Sequence, residues 1–470
     1  MYFRIALFTR LCAVVFFYVN VFARASMAVG NNGQASLGQR KPAYESGNQH
    51  ILHPIPSEAL SHTPSIDHAS PTPSPTDATT MLQALHDALS TLQTHYFALW
   101  LGKYTTAIDW TAAVTSTHLS ATLSTLSRSL PYTLPSTLNA THPLDLKAQT
   151  LENEINRYFA HSTAYYFGED HLALRMEAYD DMFWVVLGWL QSIQMINTHD
   201  AAHYAGPAWH ANQWTPTFAH RARVFYDLAS AGWDWHLCGG GMTWNPHALP
   251  YKNAITNQLF ISASVAMYLY FPGDGNCSPF LSASDDCQAP ARDPAHLASA
   301  VNAYTWLNAS GMINAAGLYT DGFHIRDYPS HTVCNERNEN VYTYNQGVIL
   351  SGLRDLYLAT SQTSYLEDGH KLVRNVLRAT GWHTHDHSLG ANGILEEGCD
   401  SRGMCSQNGQ AFKGIFFHHL TAFCTPLTHG SAMALHRRSC EEYTDWVVHN
   451  ARAALGTRDK QGRFGAWWGA

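Results

Sequence analysis

The sequence predicts an all-α protein folded as an (α/α)6 barrel, in which an outer ring of helices encloses an inner ring. Apolar residues recur with helical period between residues 81 and 455, in about ten to twelve stretches, and no stretch keeps the period of two that a sheet requires. Some of these helices have a polar face and others have none. No unit of about 20 to 50 residues repeats, which disfavours a solenoid. Alternating exposed and enclosed helices favour two concentric layers.

The charged residues distinguish the two kinds of helix. Residues 363–380 carry leucines and valines on one side and basic residues on the other, so we expect this helix to face water. Residues 182–196 and 254–270 are apolar almost all round, and residues 348–358 less completely so, which places them in the inner ring. The connections rich in Gly, Pro and Trp are expected to gather at the ends of the barrel and form a cleft: 199–216, 232–250 and 310–340.

Three segments are predicted along the chain: a signal peptide over 1–25, a disordered leader over 26–78 and the barrel over 79–470. A basic start is interleaved with the apolar run 11–21, and residues 23–25 match the small-x-small pattern that signal peptidase cuts. A membrane anchor is the alternative, but the run falls short of the ~20 residues that span a bilayer. The leader is rich in Gly, Ser, Pro and Thr and has few periodic apolar residues.

Composition and charge exclude some partners. A net charge of −8 argues against nucleic acid, whose partners carry a basic face, and 46% apolar residues argue against a disordered chain. The C-terminal residues lack the hydrophobic tail of a lipid-anchor signal. We therefore expect a secreted monomer, extracellular or associated with the cell wall, with no membrane contact after signal cleavage.

The cysteines agree with export. Of nine cysteines, Cys12 falls in the signal peptide, which leaves eight. An even number in an exported chain predicts up to four disulfides, whose pairing the sequence leaves open. No CxxC pair is present, which disfavours a zinc site. Sequons begin at Asn139, Asn276 and Asn308, which are expected at the surface.

Asp180 and Asp181 are the sharpest catalytic candidates. They lie where a loop becomes an enclosed helix, so the plainest interpretation is that one of them caps the helix N-terminus. The alternative is catalytic, because adjacent residues at a helix start can place two carboxyl groups on either side of one bond, at about the 5–5.5 Å that retaining glycosidases use. Crowding would leave the pair one shared proton, and the helix N-terminus would stabilise the member that ionises first.

Residues 237–244 form a second candidate. Three consecutive glycines permit close approach of the backbone to a ligand, and Trp244 offers a flat face of the kind that stacks on sugars. No GK[ST] follows, so a nucleotide-binding loop is excluded. A plain tight loop held by Cys238 is the alternative.

Three further clusters are weaker. The histidines within residues 383–387 resemble metal ligands, yet 28 histidines are scattered along the chain. His418 and His419 lie in an apolar helix, where a packed or hydrogen-bonded pair is the simpler expectation. Glu396 and Glu397 form a second carboxylate pair, in a loop rich in Gly and Cys.

Five motifs, in order along the chain, carry a resemblance to a known family. They are YDDMFWVVLGWL from Tyr179, CGGG from Cys238 with Trp244, YKNAITNQLF from Tyr251, YTYNQG from Tyr342 and FKGIF from Phe412. Together they resemble glycoside hydrolase family 76, over roughly residues 105–460. The resemblance implies an (α/α)6 barrel and an endo-acting α-1,6-mannanase that retains the anomeric configuration, with α-1,6-mannan as its partner. No cofactor is implied, because two carboxyl groups suffice for this chemistry.

The resemblance also assigns roles to residues. It makes Asp180 the nucleophile, Asp181 the acid and then the base, and Asp321, in the loop before YNQG, a sugar ligand. The other residues that it implies in the substrate cleft are Trp184, Trp244, Tyr344, Asn345 and Lys413. The chain departs from the family at His418, near a place where members usually carry an arginine.

Other functions stay open on the sequence. Some members of the family are cell-wall transglycosidases that act on the mannan of lipid anchors and typically keep a C-terminal anchor signal, so hydrolysis is favoured here. A catalytically inactive mannan-binding wall protein is disfavoured by the two retained aspartates. An unsaturated uronyl hydrolase, another toroidal enzyme, would need basic residues along its cleft, and the candidate loops carry few.

Overall fold

The computed structural model describes residues 78–129, 145–204, 207–276 and 288–469, and every structural statement below concerns these residues. The predicted signal peptide and leader therefore lie outside the described residues, apart from Ala78, which begins the first helix. Within the described ranges, no helix is both long and apolar enough to cross a membrane.

The described chain is mostly helical. It contains thirteen α-helices, one of them only four residues long, and a 3-10 helix at His210–Trp214. The α-helices are α1 (Ala78–His95), α2 (Asp109–Ser127), α3 (Leu146–Gly168), α4 (His171–Leu174), α5 (Tyr179–His203), α6 (Thr215–Ser230), α7 (Ala254–Tyr270), α8 (Pro294–Ala309), α9 (Tyr344–Thr360), α10 (Ser364–Ala379), α11 (Gln407–Phe423), α12 (Met433–Glu442) and α13 (Thr444–Gly456).

Strands are short, as the absence of period-two patterns predicts. Each has two or three residues, and they pair only as antiparallel neighbours. They are β1 (Phe97–Ala98), β2 (Lys103–Tyr104), β3 (Tyr251–Asn253), β4 (Gly322–His324), β5 (Glu336–Asn338), β6 (Gly390–Ala391) and β7 (Ile394–Leu395).

Helices α2, α5, α7, α9 and α11 form the inner layer. Each packs against the next in that order, and contacts between α11 and α2 close the ring. In α7, residues 254–267 are buried without interruption, so no face of that part of the helix is left for water. The apolar stretches 182–196, 254–270 and 348–358 fall within α5, α7 and α9, which confirms that they are inner helices.

Helices α3, α6, α8 and α10 pack on the outside of this ring. The helix α10 has the predicted two faces: Leu366 and Val373 are buried, whereas Lys371 and Arg374 are exposed. Burial of one stripe of side chains is what an outer helix of a double-layered barrel requires. The predicted barrel with an inner and an outer layer of helices is confirmed.

The sheet of β3, β4 and β5 fixes the start of the inner helix α7. Asn253 pairs with Gly322, and a Cβ at Gly322 would lie 2.4 Å from the carbonyl oxygen of Lys252, so only glycine fits. Asn253 is also the N-cap of α7, where its side chain accepts the N–H of Thr256 at 3.3 Å. The residue that precedes β4 is Asp321, which this sheet therefore holds beside the start of α7.

Three disulfides are described. They join Cys238 to Cys334, Cys399 to Cys405 and Cys424 to Cys440. The first spans 96 residues and ties the glycine-rich loop to the segment between β4 and β5. The chain-entropy argument assigns a bridge over a loop of that length about 5 kcal/mol of stabilisation. Cys277 and Cys287 lie outside the described residues.

Candidate active site

An open cleft of about 790 Å³ lies at the end of the barrel where the inner helices α5 and α9 begin. The predicted site residues that line it are Asp180, Asp181, Trp184, Trp244, Asp321 and Tyr344. The predicted connections 232–250 and 310–340 contribute to its walls. The connection 199–216 does not, because it starts in the last turn of α5, at the opposite end of that helix.

The two aspartates occupy the second and third positions of α5. The N-cap is Ala178, whose side chain has no acceptor, so the expectation that an aspartate caps this helix is wrong. Instead, Asp180 Oδ1 accepts the backbone N–H of Asp181 at 3.2 Å. An amide group that the helix start leaves without an intrahelical partner therefore holds the Asp180 side chain.

At Asp180, burial and hydrogen bonding act in opposite directions. Burial raises the pKa of its carboxyl to about 7. Backbone N–H groups and the Trp244 side chain donate to the carboxylate and limit this rise, whereas the negative charge of Asp321 adds to it. Asp180 is therefore a buried carboxyl group that ionises near neutral pH with donors already in place for its anion.

Asp181 keeps its proton more firmly. Burial raises the pKa of its carboxyl well above the usual range, and the charges of Asp180 and Glu177 act in the same direction. Because neighbouring carboxylates repel each other, we expect the aspartate pair to hold one proton, with Asp181 as the member that keeps it. If Asp180 acts as the nucleophile and Asp181 as the proton donor, the pKa of Asp181 must be higher than that of Asp180, as it is here.

Asp321 is held rigidly in the cleft wall. Its Oδ2 accepts the Tyr251 hydroxyl at 2.6 Å and the Asn338 amide at 3.0 Å, and its Oδ1 accepts the Asn345 amide at 3.4 Å. Burial raises the pKa of this carboxyl, and the hydrogen bonds from Tyr251 and Asn345 lower it. A fixed acceptor in the same cleft as the aspartate pair suits the binding of a hydroxyl group.

Aromatic rings form much of the remaining wall. The rings of Trp110 and Trp184 stack with centroids 6.0 Å apart and planes 25° apart. The rings of Tyr344 and Phe412 stack more closely, at 3.8 Å and 9°. Trp244 also lines the cleft and is 36% exposed. Flat apolar faces of this kind suit the C–H faces of pyranose rings.

Two predicted substrate contacts lie beneath the cleft instead of in its wall. Asn345 and Lys413 are fully buried and neither lines the cleft, so the prediction that they contact substrate is corrected. Asn345 donates to Asp321 and so helps to hold that carboxyl group. Lys413 forms an ion pair with Asp400 in which both side chains are 0% exposed. A buried cation needs such a partner, and the sequence does not reveal which acid supplies it.

Several residues that line the cleft were not predicted: Trp110, Tyr251, Asn253, Tyr342, Arg402 and Phe412. Tyr251, Tyr342 and Phe412 begin motifs that carry the family resemblance, so those motifs contained the signal. Trp110 had no such signal, because it lies in the first turn of α2, far before the aspartates in the chain.

The second carboxylate pair divides between two places. Glu397 lines the cleft, and its Oε1 accepts both the hydroxyl of Thr343 and, at 2.9 Å, its backbone N–H. Thr343 precedes the first residue of α9, so this contact fixes the helix start that carries Tyr344. Burial raises the pKa of Glu397 to about 7. Glu396 accepts the Trp467 indole N–H at 2.9 Å instead.

A second cavity, which we call the axial chamber, lies inside the inner ring. It has a volume of about 390 Å³, and its lining includes His118, Trp184, His418 and His419. Trp184 lines the cleft as well, so its indole separates the two cavities. The rings of His118 and His418 lie 4.4 Å apart, and His419 Nδ1 lies 2.7 Å from Ser351 Oγ, so these histidines are packed and hydrogen-bonded.

Other potential metal ligands give no clear site among the described residues. The histidines of residues 383–387 are exposed on a loop. Two groups bring ligand atoms together: His370 with His436 and Cys440, and Asp400 with Cys399 and Cys405. Their cysteines are in disulfides and offer no thiolate.

Comparison with known proteins identifies related sequences. The sequence model described as glycosyl hydrolase family 76 matches residues 84–470. The chain is 24% identical over 235 residues to the mannan endo-1,6-alpha-mannosidase DFG5 of Saccharomyces cerevisiae, which covers 48% of this chain and 44% of that protein. It is 26% identical over 229 residues to the mannan endo-1,6-alpha-mannosidase DCW1 of the same organism, covering 47% and 43%. The match thus spans less than half the length of these relatives.

Solved structures share the fold. The alpha-1,6-mannanase GH76A of Salegentibacter sp. HEL1_6, an inactive variant in complex with alpha-1,6-mannotetrose, has a TM-score of 0.56 at 15% identity, covering 82% of this chain and 91% of that chain. Dfg5 from Chaetomium thermophilum, in complex with glucosamine, has a TM-score of 0.53 at 16% identity, covering 83% of each chain. At these identities the likeness shows the fold.

Proposed function

The chain belongs to glycosyl hydrolase family 76, and from this premise we propose that it is a secreted, endo-acting α-1,6-mannanase that cleaves mannan with retention of configuration. The names of its relatives support the substrate class. The cleft supports the chemistry, because it joins two adjacent carboxyl groups to stacked aromatic walls and is open enough to admit a polymer.

The proposed reaction has two steps. In the first, the Asp180 carboxylate attacks the anomeric carbon while Asp181 gives its proton to the leaving glycosidic oxygen, so the glycosidic bond breaks and a glycosyl ester of Asp180 forms. In the second, the Asp181 carboxylate takes a proton from water, the water oxygen bonds to the anomeric carbon and the ester breaks. Two inversions return the α configuration.

One observation carries the assignment of roles. The neighbouring carboxyl groups have different surroundings: Asp180 Oδ1 accepts the backbone N–H of Asp181 at 3.2 Å, which favours the Asp180 anion, whereas burial and the charges of Asp180 and Glu177 favour the protonated form of Asp181. A nucleophile and an acid need these opposite states in the same enzyme. The other cleft residues have supporting roles. In this proposal Asp321 accepts a sugar hydroxyl, and Trp110, Trp184 and Trp244, which also line the cleft, stack on sugar rings.

Product analysis tests this proposal. Purified protein is incubated with unbranched α-1,6-mannan, and proton NMR follows the first anomeric signals to appear before mutarotation. The proposal expects α-anomeric reducing ends on shortened internal fragments. Initial β-anomers would contradict retention, and release of mannose alone would contradict endo action. A β-1,4-mannan of similar length serves as the control substrate and should not be cleaved.

The same experiment separates hydrolysis from the alternatives. Added α-1,6-mannooligosaccharides act as acceptors, and mass spectrometry detects chains longer than either reactant. Elongation that exceeds release of reducing ends would replace the hydrolase by a transglycosidase acting through the same ester. Binding of mannan without any new reducing ends would replace the enzyme by a mannan-binding protein.

A further inference from the structure

Glu397 is an acidic residue of the cleft that the proposed reaction does not use. It lines the same cleft as Asp180 and Asp181, yet only 4% of the residue is exposed. Its backbone N–H donates to Asp400 Oδ2 at 2.8 Å, and the Asp400 carboxylate is the partner of the buried Lys413. The main chain of Glu397 is therefore fixed by an ion pair that lies beneath the cleft.

The two carboxylate oxygens of Glu397 have different surroundings. Oε1 accepts the backbone N–H of Thr343 at 2.9 Å and also the Thr343 hydroxyl. Within the described ranges, no protein group donates a hydrogen bond to Oε2, and Oε2 is not one of the fully enclosed side-chain atoms that lack a partner. This oxygen is therefore accessible from the cleft. A largely buried carboxylate oxygen without a protein donor needs a donor from water or from a ligand.

The charges that line the cleft favour a ligand that donates hydrogen bonds. The acidic residues of the lining are Asp180, Asp181, Asp321 and Glu397, and Arg402 is its one basic residue within the described ranges. An excess of carboxyl groups supplies hydrogen-bond acceptors and repels an anionic ligand such as a uronate. The hydroxyl groups of a neutral sugar are donors of the required kind.

Glu397 and Asp321 are held by the same helix start. Thr343 precedes α9 and donates to Glu397, and Asn345, two residues later, donates to Asp321 at 3.4 Å. Tyr342 lies near both carboxyl groups, since the charges of both raise the pKa of its hydroxyl. The start of α9 therefore fixes two acceptors in the cleft. Acceptors that are fixed before the ligand arrives bind it at a lower entropic cost than mobile ones do.

We propose that Glu397 is a substrate-binding residue whose Oε2 accepts a hydroxyl group of the mannan chain. This inference rests on the proposed function, in which the cleft binds α-1,6-mannan, and it gives Glu397 no part in the transfer of the proton or of the glycosyl group. An ionised carboxylate makes a stronger hydrogen bond with a hydroxyl group than a neutral acceptor does. Glu397 therefore contributes to Kd and KM more than to kcat.

Binding measured without cleavage tests this proposal. Asp180→Asn, which should not cleave, is the background in which calorimetry measures the Kd for α-1,6-mannotetraose, at a pH above the pKa of about 7 that burial gives Glu397. Adding Glu397→Gln removes the charge and keeps a carbonyl oxygen for Thr343, so Kd should rise by roughly tenfold or more. Adding Glu396→Gln instead is the matched control. Glu396 does not line the cleft and accepts the Trp467 indole N–H, so this change should leave Kd unaltered.

Deoxygenated tetrasaccharides distinguish a direct contact from a merely structural role. Each lacks the C2, C3 or C4 hydroxyl group of its mannose units. In Asp180→Asn, removal of the hydroxyl group that Glu397 binds should raise Kd by roughly tenfold, and adding Glu397→Gln should then raise it no further, because the contact is already missing. An equal rise from Glu397→Gln for the parent sugar and for every deoxygenated analogue would show that Glu397 only holds Thr343, and would overturn the proposal.

Cleavage by the wild type shows which of the two proposals fails. An unchanged Kd after addition of Glu397→Gln, together with cleavage of mannan by the wild type, would overturn this inference and leave the proposed function standing. If the wild type did not cleave mannan and Asp180→Asn did not bind the tetrasaccharide, the proposed function would be wrong, and this inference with it.

Discussion

The cleft and the axial chamber are built by the same inner helices and share Trp184, yet burial shifts the pKa values of their ionisable groups in opposite directions. In the cleft, burial raises the pKa of Asp180 and of Asp181, so the acids tend to be protonated. In the chamber, burial lowers the pKa of His418 to about 4 and that of His118 well below its usual value, so the bases tend to be unprotonated. Both cavities thus favour neutral side chains.

The difference lies in the hydrogen-bond donors. Asp180 receives backbone N–H groups from the first turn of α5 and a donor from Trp244, which make its anion accessible near neutral pH. In the chamber, burial alone lowers the pKa of His418, and no neighbouring group among the described residues favours its cation. Burial by itself therefore favours the neutral form of a side chain. Oriented hydrogen-bond donors at a helix start stabilise the carboxylate anion and so oppose that effect.

The largest expected effect is the loss of the nucleophile in the cleft. Asp180→Asn keeps the size of the side chain and removes its charge, so the rate of α-1,6-mannan cleavage should fall by roughly 10⁴-fold or more. Reducing-end release measures it, with Asp87→Asn, on helix α1 and outside the cleft, as the control. Cleavage within tenfold of the wild-type rate would show that Asp180 is not the nucleophile.

The same variant tests the sign of the pH dependence. Since the folded-state pKa of Asp180 is raised to about 7 from 3.8, its contribution to the free energy of unfolding is most favourable below pH 3.8 and is lost as the pH rises through 7. Asp180→Asn should therefore reduce the decline in stability between these pH values, as measured by urea unfolding at a series of pH values.

The second largest effect concerns charges that remain buried beneath the cleft. Lys413→Met leaves Asp400 buried without its cation, so the free energy of unfolding should fall by about 3–5 kcal/mol. Urea unfolding at neutral pH measures the change. Arg437→Met, in an ion pair with Glu441 whose side chains are 45% and 41% exposed, is the control and should cost less than about 0.5 kcal/mol. Equal losses of stability in the two variants would show that the buried Lys413–Asp400 pair matters no more to folding than the exposed Arg437–Glu441 pair.

The third effect concerns the chamber. Its contribution to the free energy of unfolding is lost as the pH falls, whereas that of Asp180 in the cleft is lost as the pH rises. Because the folded-state pKa of His418 is lowered to about 4 from 6.5, the unfolded chain binds a proton between these values that the folded chain does not, so stability falls as the pH drops through this window. His418→Gln should reduce that loss by on the order of 2–3 kcal/mol at pH 4. His385→Gln, at an exposed histidine, is the control, and parallel pH–stability curves for the wild type and His418→Gln would contradict the expectation.

The smallest effect tests the aromatic wall. Trp110→Ala removes the ring that stacks on Trp184, at a cost of about 1 kcal/mol of sugar binding, so KM for mannan should rise roughly five- to tenfold with kcat little changed. Trp110→Phe keeps a ring and should lie between the wild type and the alanine variant. An unchanged KM in Trp110→Ala would show that this ring does not contact the substrate.

The fold was predictable wherever apolar residues alone determine burial. The apolar stretch 254–270 coincides with α7, because Asn253 caps its start and every turn faces other helices until the last. The stretch 182–196 falls short of α5, which continues to His203. The extra turns contain polar side chains that are nevertheless buried: His199 Nδ1 lies 2.9 Å from Ser127 Oγ and its Nε2 lies 3.1 Å from Glu152. Partners this distant in the chain leave no periodic signal.

The candidate site was predictable to the extent that its residues lie in recognisable motifs. The aspartate pair and Trp244 were found in this way and line the cleft together. Lys413 also lies in such a motif, but its burial beneath the cleft depends on a partner, Asp400, that only the fold brings into contact.

The indole of Trp184 acts as a partition in the middle of the barrel, with a compartment on each side. We expect a small side chain at this one position to connect the cleft beside Asp180 and Asp181 with the chamber that contains the histidines. The depth of the cleft therefore depends on one side chain as well as on the positions of the helices.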